Sequence, residues 1–158
     1  MNTTGIGYDV HRFTTGRPLI LGGVTIPYER GLQGHSDADV LTHAIADAIL
    51  GAIGERDIGH HFPDTDESIR GISSLKILAH ARDLVASRGA TINNIDATLL
   101  AEAPKIAPHL EAIRASLALT LDLAVERIGL KATTNEGLGA IGRGEGMAAM
   151  AVTSIQLP

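Results

Sequence analysis

The chain contains no cysteine. Disulfides, thiolate nucleophiles and thiolate metal sites are therefore excluded together, and any bound metal must rest on His, Asp or Glu. Tryptophan is also absent, and aromatic residues make up only 3% of the chain. Ala, Leu and Ile must fill the interior. Such side chains let helices approach closely but bury little area each, so self-association is an expected source of further buried surface. No excess of positive charge exists: the formal net charge is -5 and the pI about 5.7. That balance argues against a general nucleic-acid binder or a binder of anionic membranes. No apolar run approaches the ~20 residues needed to span a bilayer. The amino-terminal residues lack the basic flank and apolar core of a signal peptide, which makes a cytoplasmic location the expectation.

What is present reads as one globular domain of 158 residues, 44% hydrophobic and 20% charged. Ile6, Tyr8 and Val10 alternate with Gly7, Asp9 and His11, the period of a strand running from Gly5 to Phe13. Leu19 to Pro27 reads as a hairpin turned at Gly22-Gly23, and Gly31 to His35 as a loop. Ser36-Asp37-Ala38-Asp39 has the form of a helix start, after which Leu41, Ile45, Ala48, Ile49 and Ala52 recur at helical spacing. Gly54 to Ser68 is polar and turn-rich. Helices are expected over Ser74–Ser87 and Pro108–Thr120, and strands over Thr91–Ala101, Ile128–Thr134 and Met147–Leu157. A glycine-rich loop, Gly137 to Gly146, precedes the last strand. The first strands look antiparallel. The whole is expected to be an α/β (α+β type) fold, a small mixed sheet covered by helices on one face.

Four groups of residues carry possible chemistry. Asp9 and His11, two apart in a strand, point to the same side and can bind one cation. With His43 they make a two-His, one-carboxylate set of the kind that leaves a metal position open. The same Asp-x-His also serves as a simple hydrogen-bonded strand end. Asp39, His43 and Asp47 form one polar stripe on the long helix, which either supports a metal or faces solvent. His35-Ser36 precede that helix, where free amides can seat a phosphate, although Ser36 reads equally as a cap. Lys131 to Glu136 ends a strand with hydroxyls, an amide and a carboxylate suited to a diphosphate and a hard cation, or to a solvated strand end. The glycines of the following loop do not match dinucleotide or P-loop spacing. His60, His61, His80 and His109 read as surface or packing residues.

Seven segments in order resemble the 2-C-methyl-D-erythritol 2,4-cyclodiphosphate synthase family. They are GYDVHRF from Gly7, GHSDADVLTHAIADAILGA from Gly34, DIG from Asp57, FPDTD from Phe62, AEAPKIAPH from Ala101, KATTNE from Lys131 and GRGEG from Gly142. The resemblance covers nearly the whole chain and implies a single cyclodiphosphate synthase domain over residues 1–158. It implies zinc on Asp9, His11 and His43, and a substrate phosphate in the open position. His35 and Thr134 would steady the phosphates, and Glu136 would hold Mg²⁺ or Mn²⁺ between them. Asp57, Ile58 and Gly59 would meet the ribose. Phe62, Pro63, Asp64, Thr65 and Asp66 would cover the methylerythritol end. Ala101, Glu102, Ala103, Pro104, Lys105, Ile106 and Ala107 would receive the cytosine, with Ser36, Thr133 and Asn135 as further contacts.

The reaction so implied converts 4-diphosphocytidyl-2-C-methyl-D-erythritol 2-phosphate to the 2,4-cyclodiphosphate and CMP, a cyclising phosphorus-oxygen lyase step in the non-mevalonate isoprenoid pathway. The family is homotrimeric, with sites between subunits and with neither nucleic acid nor membrane as partner. Arg56 stands where the family often has Gly, Gly137 where it has Lys, and Ala140 where it has a Phe lining an axial cavity. Arg143 matches the arginine below that cavity, so Ala140 and Arg143 complete the expected contacts. A zinc phosphohydrolase and a catalytically idle trimeric nucleotide-binding module are the competing readings.

Overall fold

The computed structural model describes all 158 residues. They form a single small α/β domain. Strand β1 (Asn2–Thr14) is followed by the hairpin β2 (Leu19–Leu21) and β3 (Val24–Ile26), then by β4 (Gly31–Leu32). Helix α1 (Val40–Ala52) comes next, then a four-residue helix α2 (Ile58–His61) and helix α3 (Ser74–Ser87). Strand β5 (Thr91–Leu100), helix α4 (Leu110–Leu121), strand β6 (Ile128–Thr133), the helical turn α5 (Gly139–Gly142) and strand β7 (Gly146–Gln156) complete the chain. The five-stranded sheet has the order β4-β1-β7-β5-β6 and is mixed: β1 and β5 run antiparallel to β7, while β5 and β6 are parallel.

Several boundaries differ from expectation. The first strand does not pair with the hairpin that follows it. It pairs with β7 along its length and with β4 at Phe13 and Thr14, and the hairpin stands apart as a two-stranded sheet. Gly31 and Leu32, expected in a loop, are drawn into the sheet by that pairing. The cap of α1 is Asp39, whose carboxylate accepts from the Thr42 amide at 3.0 Å, and not Ser36. The reason is local: Ala38 takes a left-handed conformation (φ 59°), which separates Ser36 from the helix proper. The polar segment after Gly54 holds α2, and the glycine-rich loop holds α5.

Helix α1 lies against one face of β1 and β7, and it is buried nearly all round. Two glycines set how close it comes. A Cβ on Gly5 would sit 1.9 Å from the Ala48 carbonyl oxygen, and one on Gly7 would sit 1.8 Å from that of Ala44. Any side chain there would displace the helix, so backbone packs on backbone. The core of Leu, Ile and Ala residues fills the space between α1, α3, α4 and the sheet. The opposite face of the sheet has no covering helix, and Ile6, Tyr8, Val10, Met150 and Val152 stand exposed along it.

Candidate active site

Alternation along β1 puts Gly5, Gly7, Asp9 and His11 on the helix side of the sheet. Because the glycines let α1 approach, His43 on α1 reaches the two polar residues. The Asp9 Oδ2 atom lies 2.8 Å from His11 Nε2 and 2.9 Å from His43 Nδ1, and the two imidazole nitrogens are 3.3 Å apart. All three ligand atoms fall within 4.8 Å of one another, so one small cation can bridge them. His11 Nδ1 is 2.7 Å from the Gln33 carbonyl oxygen, which fixes that ring in place.

Electrostatics fit a cation site. Burial pushes the Asp9 carboxyl up, but hydrogen bonds and charge from His11 and His43 outweigh it and hold it at about 2. Burial pulls His11 down, and the Asp9 hydrogen bond and charge outweigh this and raise it. An ionised carboxylate with two converging imidazoles is the donor set that zinc favours, and no thiolate competes.

The expected polar stripe on α1 divides by role. Asp39 is wholly buried and takes no part in the cation site. Its carboxylate accepts from the amides of Gly22 and Gly23 at 3.0 and 2.8 Å and from the Thr42 hydroxyl at 2.8 Å, tying the hairpin to α1. Asp47 accepts from the Ile58 amide at 2.8 Å and so anchors the start of α2. Burial raises its pKa against the pull of that hydrogen bond. Neither carboxylate is a solvated face residue: each satisfies backbone amides that would otherwise be orphaned.

A cleft of about 230 Å³ opens beside the cation site, lined by His35, Ser36, His43, Ile58, Gly59, Phe62 and Asp64 and by Ile69, Ile72 and Ile77. The expected residues on α2 and in the Phe62–Asp66 segment thus meet His35 and Ser36. His35 Nε2 lies 3.0 Å from the Asp66 carbonyl oxygen, joining the two segments. Ile69, Ile72 and Ile77 were not anticipated. Only the return of the chain into α3 brings them here, and no local pattern marks them. Ser74, read as a plain helix start, also reaches the site: its hydroxyl is 2.8 Å from His43 Nε2.

A second cleft of about 370 Å³ lies elsewhere on the chain, lined by Ala101, Glu102, Pro104, Lys105, Ile106 and Ala107 with Thr133 and Thr134. The two clefts share no residue. Their positions follow from register: Asp9 pairs with Ala149, Ala149 with Leu99, and Leu99 with Ala132. They lie at one level of the sheet but three strand spacings apart, about 14 Å. His35 and Thr134, expected to act on the same phosphates, are in different clefts of this chain. Glu136 is exposed with a left-handed backbone (φ 53°), and its amide donates to Thr134 Oγ1 at 3.2 Å. The Glu102 carboxylate accepts from the Gly137 amide at 2.7 Å, which links the loop to the second cleft. Lys131 pairs with Asp96 on the neighbouring strand. Ala140 borders a third recess with Val10, His11, Arg12 and Glu145, and Arg143 pairs with Glu145 at 2.6 Å. His61 lies between His80 and Glu55, at 3.4 and 3.3 Å.

Comparison with known proteins settles the kinship. Residues 2–156 match the YgbB family. A protein of Pelobacter propionicus named 2-C-methyl-D-erythritol 2,4-cyclodiphosphate synthase is 58% identical over 148 residues, with 94% of each chain covered. This chain belongs to that family. Among solved structures of its members, a CDP-bound 2C-methyl-D-erythritol-2,4-cyclodiphosphate synthase is 42% identical, with a TM-score of 0.89 and 97% and 99% of the two chains covered. The bifunctional IspDF from Campylobacter jejuni is 45% identical with a TM-score of 0.96, and here the chain spans 43% of the longer protein. The synthase fold is therefore the framework on which the cation site and both clefts stand. No helix of the chain is long and apolar enough to cross a membrane.

Proposed function

We propose that this chain, as one synthase domain over residues 1–158, converts 4-diphosphocytidyl-2-C-methyl-D-erythritol 2-phosphate to 2-C-methyl-D-erythritol 2,4-cyclodiphosphate and CMP. The observation that carries the reading is the Asp9, His11, His43 set opening onto the cleft with His35 and Ser36. In this reaction the substrate supplies its own nucleophile. An oxygen of the 2-phosphate attacks the phosphorus of the diphosphate nearer the erythritol, a P–O bond forms there, and the bond to the CMP phosphate oxygen breaks. The chain needs no nucleophile of its own, and its task is to hold the substrate in a ring-closing pose and to balance charge.

Asp9, His11 and His43 would hold zinc, which supplies Lewis-acid neutralisation of phosphate charge when bound. His35 and Ser36 line the same cleft, where the Ser36 hydroxyl can donate to a phosphate oxygen and the His35 ring is held at the Asp66 carbonyl beside it. Phe62 and the isoleucines of that cleft exclude water from the methylerythritol end. Thr134 steadies the diphosphate from the second cleft, whose Ala101–Ala107 wall receives the cytosine. Glu136 would hold Mg²⁺ or Mn²⁺ jointly with the substrate phosphates. Its left-handed backbone, a conformation costing about 1–3 kcal/mol, is the kind of strain found at functional sites.

The assembly we propose is a homotrimer with each site completed by a neighbour. Two features support it. The exposed Ile6, Tyr8, Val10, Met150 and Val152 form an apolar face that a lone chain leaves in water. The cation site is on β1 and the cytosine cleft on β5 and β6, toward opposite edges of the sheet, so a ring of copies brings one chain's first cleft to the next chain's second. Incubation with substrate and Mg²⁺ followed by product analysis tests the activity: cyclic diphosphate and CMP are expected. An open-chain product would indicate a phosphohydrolase instead, and no turnover an idle nucleotide-binding module.

A further inference from the structure

His43 offers Nδ1 to the cation site, so its other ring nitrogen must carry the proton if the imidazole is to act as a neutral ligand. What surrounds that nitrogen is therefore decisive. His43 Nε2 faces two hydroxyls, Ser74 Oγ at 2.8 Å and Ser36 Oγ at 3.2 Å. Ser74 is wholly buried at the first turn of α3. Its hydroxyl is also in very short contact with Asp37 Oδ1, and its amide donates to Asp37 Oδ2 at 3.0 Å. Asp37 Oδ1 further accepts from the Asp39 amide at 3.2 Å. Both carboxylate oxygens of Asp37 thus accept from backbone N–H groups.

Proton accounting follows directly. Ser74 has one hydroxyl proton, and the Asp37 carboxylate takes it, since a charged acceptor makes the stronger hydrogen bond. Only lone pairs of Ser74 Oγ then remain toward His43. Ser36 Oγ accepts from the Ala38 amide at 3.0 Å and keeps its own proton, but at 3.2 Å it is the more distant partner of Nε2, so the Ser74 oxygen at 2.8 Å decides. A bare Nε2 lone pair facing Ser74 would be repelled, whereas an Nε2–H is accepted. The chain Asp37–Ser74–His43 therefore favours the proton on Nε2, so that Nδ1 can serve as the neutral donor to a cation held with Asp9 and His11. The backbone is bent to build this chain: Ala38, between Asp37 and Asp39, is left-handed and buried, so the two carboxylates diverge, one to α3 and one to the hairpin.

We infer that Ser74 and Asp37 are positioning residues for the metal ligand His43, setting its tautomer and ring orientation from α3. This rests on the proposed assignment of the cation site. It assigns a task to two residues whose local pattern suggests only helix starts. Such outer hydrogen bonds are typically worth 10–100-fold in metal affinity. The Ser36 hydroxyl remains as a weaker partner, so the loss on removing Ser74 falls at the lower end.

The test uses the full chain loaded with zinc. Zinc affinity is measured by chelator competition for wild type and for Ser74→Ala, and the His43 Nε2 proton is followed by ¹⁵N-edited NMR. The expected result is a slowly exchanging Nε2 proton in wild type and, in Ser74→Ala, about tenfold weaker zinc binding with that resonance shifted while circular dichroism is unchanged. A role limited to capping α3 would leave the His43 proton unmoved. Unchanged zinc affinity, or an unmoved Nε2 resonance in the variant, overturns the inference. If Ser74→Ala does not fold, the wild-type spectrum alone decides: a rapidly exchanging Nε2 proton overturns it. A wild-type chain that binds no zinc at all would instead remove the cation-site reading on which it stands.

Discussion

The two faces of β1 alternate along one run of seven residues, Gly5 to His11, and have opposite fates. On one side Gly5 and Gly7 give way to α1, and Asp9 and His11 meet His43. On the other, Ile6, Tyr8 and Val10 face away from α1, and Ile6 is 68% exposed. The side with almost no apolar side chain is the buried one. Burial is won there by close approach of backbones, which seats an imidazole of the helix against a carboxylate of the strand. The side rich in apolar groups is left exposed. The same strand thus carries a cation site within the chain on one side and an exposed apolar surface on the other.

The sharpest way to break this contrast is on the glycine side. Gly7→Ala would place a methyl carbon 1.8 Å from the Ala44 carbonyl oxygen, and backbone cannot yield as a flexible side chain does. A loss of about 3 kcal/mol is expected, a large share of a typical stability of about 5–15 kcal/mol. Thermal unfolding of the variant measures it, and a melting temperature near that of wild type would show that α1 can shift.

On the other side, Ile6→Glu should spare the fold and abolish assembly. A charge buried without a partner costs about 3–5 kcal/mol, so the trimer should dissociate at least about a hundredfold more readily. Sedimentation should then give the mass of one 16.5 kDa chain with unchanged circular dichroism. A trimer that persists would mean that this face is not the interface.

His43→Ala separates the two sides directly. It should lose bound zinc and turnover while the trimer survives, because His43 lies on the helix side only. Full metal content in this variant would refute the ligand set.

A smaller effect concerns pH. In the zinc-free chain the His11 pKa is raised above 6.5, so its contribution to stability is complete below 6.5 and lost as pH rises through the folded value. Asp9 is lowered from 3.8 to about 2, so its contribution holds above 3.8 and is lost as pH falls toward 2. The zinc-free protein should therefore melt highest between these limits and weaken above neutral pH. The zinc-loaded protein should do the reverse at the acid end, since protons compete for the imidazoles. Melting curves with and without zinc from pH 4 to 8 check this, and parallel pH profiles would contradict it.

The smallest change is expected from Glu145→Ala. Arg143 and Glu145 are both largely solvated within one chain, so their pair adds at most about 1 kcal/mol there. If three Arg143 side chains converge in the trimer, its loss should make assembly weaker, more salt-sensitive and more dependent on phosphate-like anions. Sedimentation across salt concentrations reads this, and a trimer unchanged throughout would make the pair a solvated loop feature.

How far the sequence reaches differs by residue. That Asp9 and His11 share a face is legible, because strand alternation is a property of the backbone and needs no partner. That His43 lies opposite them rests on α1 crossing β1, 32 residues later in the chain. The stripe of Asp39, His43 and Asp47 was visible as a pattern, yet the three do different things: one binds the hairpin amides, one the cation site, one the start of α2. Helical spacing says which residues point the same way along a helix and nothing about what waits there. Ser74 and Asp37 show the limit most clearly, since each is a plausible helix start by itself and their contact joins segments 37 residues apart.

The sequence by itself determined the longer strands and helices, the absence of thiolate chemistry, the carboxylate–imidazole pair on β1 and the family resemblance. All of these depend on residue type and near neighbours, which short-range backbone geometry reads directly. Tertiary structure alone decided which face of β1 is covered, which carboxylates join the candidate cation site and which bind backbone amides, and that the expected site residues lie in two separate clefts. The physical reason is that burial and hydrogen bonding are settled by what returns to a surface. Here that was a helix admitted by two glycines, and the periodicity of the strand carried no sign of it.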